Sequence, residues 1–144
     1  MRELATDRAG LEILHLGDCF LLLKSAAVGR IAFAAGGEVV ILPVSFLVDG
    51  QDVVFRTGTG SKLSALEVGH YVGFEADSYD AATATGWSVV VNGLAEVIDS
   101  ADEAGRLDAL GLASWGGGAD LIWMRIRPSS ITGRRTAEAS PGRD

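Results

Sequence analysis

Residues 29–57 hold three β-rich runs, GRIAFAA, EVVILPVSFLV and QDVVFRT, joined by the dipeptides Gly36-Gly37 and Asp49-Gly50. Asp-Gly between runs of Val, Leu and Phe is among the strongest short hairpin signals, because its turn matches the twist of the strands it joins. Gly-Gly serves the same purpose for the first pair. No helical pattern intervenes, so three consecutive antiparallel strands are expected here. That start makes a helix-alternating parallel sheet a poor fit and points to a small antiparallel barrel.

The rest of the chain extends this pattern. Residues 70–77, HYVGFEAD, read as a fourth strand, and DSYDAATATG as a polar loop. WSVVVNGLAEVI is a long fifth strand in which Gly93 marks a bulge or bend. Ser100 and Glu103 form a capping box that opens a helix expected to reach about residue 112. The glycine-rich stretch SWGGGAD then leads into LIWMRIRP, a sixth strand ended by Pro128. Two short helices complete the set. One spans residues 19–25, with Asp18 as cap and Phe20, Leu21 and Leu23 as its apolar face; the other lies around residues 62–68. Residues 1–10 are polar and unpatterned and are expected to be loose. Residues 11–135 form the domain, and 136–144 a flexible, dispensable tail.

Composition narrows the function classes. A chain of 144 residues buries about 68–70% of its unfolded surface and needs no staple. Nineteen acidic against twelve basic residues, a net charge of −7, argue against nucleic acid as the main partner. The longest apolar run, residues 39–48, is broken by Pro43 and Ser45 and is too short to span a bilayer. Yet 48% of the residues are hydrophobic, a surplus that an oligomer interface would absorb. Cys19 is the single cysteine and sits in an apolar helical run, so it reads as core. His15 and His70 have no spaced partners, so no metal site is expected. With no cationic-then-apolar leader at its start, the chain is expected to be cytoplasmic.

One segment stands apart from the apolar background. In RTGTGSK, residues 56–62, two cations flank a turn of small and hydroxylated residues. Thr57, Thr59 and Ser61 offer hydroxyls, the glycines let backbone N–H groups approach an anion, and Arg56 and Lys62 offer charge-assisted hydrogen bonds. The segment lacks both the P-loop spacing and the third glycine of a dinucleotide fingerprint. Taken alone, it is either a phosphate cradle or a capped strand-to-helix turn. Pro43 is similarly two-sided: it marks a sheet edge or bulge, or a strand opened beside a binding cleft.

The segments GRIAF, VVILPVSFLVDGQDVVFRTGTGSKLSAL, FEAD, TGWSVVVNGLAEVI and IRPSSITGRR, in this order, resemble the pyridoxamine-phosphate-oxidase-like family of flavin-binding split β-barrels. The similarity covers nearly all of residues 11–135. It implies a mainly β, six-stranded antiparallel split barrel that pairs into a homodimer and holds flavin mononucleotide (FMN), or in some branches a deazaflavin, between the two chains. The family's phosphate grip falls on Arg56, Thr57, Ser61 and Lys62. The strand along the flavin ring corresponds to Pro43, Val44, Ser45 and Phe46. Trp87 and Ser88 match the strand that contributes a polar contact across the dimer, and Arg134 stands where the classical oxidase has an aromatic ring-contacting residue. That enzyme also places an Arg and a His after its last strand to hold substrate, whereas Arg135 here is followed by TAEASPGRD. Oxidation of pyridoxamine phosphate is therefore not expected. A nitroimidazole-reducing branch carries a His near the position of Ser61, which argues against a His-centred mechanism. The resemblance implies an FMN-dependent oxidoreductase of a small molecule with no catalytic side chain evident. A deazaflavin-dependent reductase and a non-catalytic flavin-binding dimer are the alternatives.

Overall fold

The computed structural model describes residues 4–58, 62–113 and 121–137. Eight strands alternate with few helices: β1 (Glu12–Ile13), α1 (Leu16–Ser25), β2 (Val28–Ala35), β3 (Glu38–Ser45), β4 (Leu47–Asp49) and β5 (Asp52–Gly58), then a 3₁₀ helix (Lys62–Val68), β6 (His70–Asp80), β7 (Thr85–Val97), α2 (Ala101–Asp108) and β8 (Leu121–Arg135). All pair antiparallel in the order β3-β2-β6-β7-β8-β5-β4, with β1 added to β8. The antiparallel, mainly β architecture read from the sequence is the one observed. The strand count differs from six for two local reasons. Glu12 and Ile13 form a short extra strand on β8, and the run EVVILPVSFLV breaks at Phe46 into β3 and β4.

That break curls the sheet. β3 and β4 lie at opposite ends of the strand order yet are joined through Phe46 alone. The chain therefore steps from one edge of the sheet to the other within one residue, and the sheet must bend round to permit it. The side chains that alternate inward fill the enclosed space: Ile31 and Phe33 from β2, Val44 from β3, Val53 and Phe55 from β5, Phe74 from β6, Val89 and Val91 from β7, and Met124 and Ile126 from β8. Cys19 and Leu23 of α1, both fully buried, and Leu66 of the 3₁₀ helix join this core. α1 begins three residues earlier than the Asp18 cap suggests, with His15 at the N-cap.

A second cluster lies on the outside of β5 and β8, where α2 covers Val54 and Trp123 with Leu107 and Ile98. Ser100 Oγ accepts from the Glu103 N–H at 3.2 Å, the expected N-cap bond, and α2 ends at Asp108. Ion pairs from Arg106 to Asp49 and from Arg125 to Glu103 and Asp52 tie the helix down. Gly93 sits at a register shift between β7 and β8, as its position in the fifth strand suggested. A Cβ there would lie 2.1 Å from the Arg127 carbonyl oxygen, so only glycine allows the strands to approach this closely.

Candidate functional site

β4 and β5 pair Leu47 with Val54 and Val48 with Val53. Continued upstream, that register would set Ser45 against Arg56, Val44 against Thr57 and Pro43 against Gly58. Instead, β3 takes its hydrogen bonds from β2, with Pro43 opposite Arg30 and Val44 opposite Gly29. It stays close to β5 without pairing to it. Pro43 has no N–H to offer a second neighbour, so the ladder is interrupted where β3 faces β5. The result is an open interval flanked by residues 43–45 on one side and 56–58 on the other.

Alternation sorts the flanking side chains. Val44 and Phe46 turn inward, and Phe46 packs edge-on against Phe74 with ring centroids 4.9 Å apart. Thr57 also turns inward and is 1% exposed, and its hydroxyl has no hydrogen-bond partner. A buried hydroxyl left unmatched costs about 1–3 kcal/mol, so this group has unused capacity at the strand end. Arg56 takes the opposite face. Its guanidinium lies over the Trp123 ring, 5.1 Å from the centroid, and Nη2 donates to the Leu112 carbonyl. Arg56 and Thr57 are thus neighbours in sequence and do not converge through their side chains. Lys62 heads the 3₁₀ helix, exposed and without an ion pair to a described residue. Ser61 lies outside the described residues, as does Trp115.

Trp87, Ser88 and Arg134 form a separate group. Trp87 faces Arg135 and Ser88 faces Arg134 across β7 and β8. Arg134 Nε donates to Asp7 Oδ2 at 3.1 Å, and Asp7 in turn accepts from the Leu11 and Ala9 N–H groups, which lower its pKa along with Arg134. Beside this group a cleft of about 440 Å³ is lined by Ser78, Asp80, Thr85, Trp87, Arg135 and Thr136, among others. Thr57 pairs with Ile122 and Ser88 with Arg134, so twelve positions of β8 separate the two groups, about 40 Å of strand contour. The structure brings together residues 43–46 with 56–58, and Trp87 with Ser88 and Arg134. Within one chain it does not join the two sets.

A cluster absent from the sequence reading lies on the outer face of β6. Arg30 Nη1 is 3.5 Å from both Glu75 Oε1 and Asp77 Oδ2. Burial, then the nearby Asp77 carboxylate, push the Glu75 pKa up to about 7 against the pull of Arg30. Glu and Asp two apart on one strand share a face, which was legible. The Arg30 partner was not, because β2 and β6 are distant in sequence.

A family model described as pyridoxamine 5'-phosphate oxidase matches residues 16–135. The chain belongs to this family. Relatives within it support the same span. The uncharacterized protein Rv0080 of Mycobacterium tuberculosis is 33% identical over 138 residues, covering 91% of this chain and 90% of that one. Among solved structures, an FAD binding protein from Mycobacterium smegmatis is 35% identical with a TM-score of 0.74, covering 86% of this chain and 96% of its own. A conserved protein of unknown function from Corynebacterium diphtheriae, DIP1874, is 32% identical, also at a TM-score of 0.74, and covers 89% and 99%. The open interval beside Pro43 is this family member's split in the barrel. Among the described residues, no helix is long and apolar enough to cross a membrane.

Proposed function

We propose that the chain is a cytoplasmic, homodimeric flavoprotein that holds FMN at the split of its barrel and acts as an oxidoreductase on a small molecule. The observation that carries this reading is the interrupted ladder: a strand edge at residues 43–45 left open beside the strand end that leads into Lys62. A planar ring laid along that edge would meet backbone groups that no strand claims. Phosphate would lie toward Lys62 and Ser61, with Thr57 supplying its unmatched hydroxyl. Arg56, on the opposite face, would hold the end of β5 through Trp123 and Leu112 and add positive charge nearby.

Trp87, Ser88 and Arg134 complete the site from the second chain, because the contour of β8 that separates them from Lys62 exceeds the length of FMN. A bound flavin would supply hydride transfer at its ring nitrogen N5, and the protein supplies binding and electrostatics. FAD is a second reading, favoured by the 35% identical relative that is an FAD binding protein. The absorbance spectrum of the purified protein tests the proposal. The two bands of an oxidised flavin support it, and the single band of a deazaflavin replaces the cofactor. A protein that is colourless and takes up neither FMN nor FAD in titration contradicts it. Titration with FMN, FAD and riboflavin then ranks the cofactors.

A further inference from the structure

The outer face of the sheet carries apolar side chains that the barrel does not use. Val39 is 76% exposed and Ile41 63% on β3, and Tyr71 on β6 is 63% exposed, opposite the exposed Leu94 on β7. Register places small residues between them. Ala34 faces Val39, and Ala32 faces both Ile41 and Gly73. The face is therefore flat as well as apolar, and this rests on the two-chain reading above, in which a second copy covers it.

At one end of this face sits the Arg30, Glu75 and Asp77 cluster. Arg30 lies directly between Glu75 and Pro43 in the strand register, so the cluster adjoins the open edge of the barrel. One arginine against two carboxylates leaves one negative charge per chain when both are ionised. Other groups do not offset it. Val90 stands opposite Glu75 on β7, flanked by Ser88 and Asn92. Thr132 lies one strand further, flanked by Ser130 and by Arg134, which is held by Asp7. On β3, Pro43 is flanked by Ile41 and Ser45 on the same face.

We propose that this cluster is a proton-controlled latch on self-association, in which Glu75 takes up a proton as the two chains close. Closing the face removes water from the cluster in both copies at once. An uncompensated charge is costly to desolvate, and a neutral carboxyl sharing hydrogen bonds with Asp77 is not. Association is therefore tighter on the acid side of neutrality and looser above it. The elevated Glu75 pKa places the transition near neutrality rather than in the acid range.

Sedimentation equilibrium of the full chain near pH 6 and near pH 8 tests the latch. Uptake of one proton per chain predicts dimer dissociation constants differing by up to about 100-fold between those conditions. Glu75→Gln keeps the shape and removes the charge, and should give the tighter, pH-independent association at both. Asp77→Asn removes the neighbour that raises Glu75 and should move the transition to lower pH. Equal wild-type affinity at both pH values overturns the latch and leaves the dimer standing. A pH dependence undiminished in Glu75→Gln overturns the assignment to Glu75. A monomer throughout overturns both the latch and the two-chain site.

Discussion

Lys62 carries the most specific chemistry of any single side chain in the site. A hydrogen bond between charged groups is worth about 1.5–3 kcal/mol net, so Lys62→Met should weaken FMN about 10- to 150-fold. Riboflavin, which lacks the phosphate, should bind both proteins almost equally, and fluorescence titration of the two ligands reads the contrast. Arg56 should behave differently. Its guanidinium packs on Trp123 and caps the Leu112 carbonyl, so Arg56→Met should cost about 1–2 kcal/mol of stability in denaturant unfolding. It should narrow the preference for FMN over riboflavin less than Lys62→Met does. The sequence put both cations beside one turn, and adjacency in a strand then sent the side chains of Arg56 and Thr57 to opposite faces. Residue type was legible there, and direction needed the strand.

At the level of elements, local signals were the readable ones. The turn at Asp49-Gly50, the Ser100 cap and the bend at Gly93 each depend on residues close in sequence, and each appears in the structure. The pairings of β2 with β6 and of β5 with β8 join distant segments, and nothing local announces them. The break at Phe46 was likewise hidden, since an unbroken apolar run gives no sign of where a strand changes partners. Gly93→Ala should destabilise by about 1–3 kcal/mol or more, because the backbone of Arg127 and Pro128 would have to move, and thermal unfolding will show it. The carboxylate pair on β6 adds a pH term. The folded-state pKa of Glu75 is raised from 4.5 to about 7, so the native chain binds more protons than the unfolded one across that window. Stability should fall as pH rises from 4.5 toward 7, and Glu75→Gln should flatten that part of the curve.

For the whole molecule, an apolar surplus in the composition has become a place: the flat outer face of β3, β2, β6 and β7. The family's split barrel accounts for the fold, and the separation of Lys62 from Trp87 along β8 accounts for why one chain would be insufficient. The central claim is that each flavin is gripped by both chains, and subunit complementation tests it most directly. Lys62→Met disables the phosphate side and Trp87→Ala the contact from across the interface, so each homodimer should bind FMN weakly. Mixed dimers concentrate both defects in one site and leave the other intact. After subunit exchange of equal amounts, tight FMN binding should return to about one quarter of the sites. If the mixture binds no better than the two variants apart, each chain holds its own complete site and the shared-cleft account is wrong.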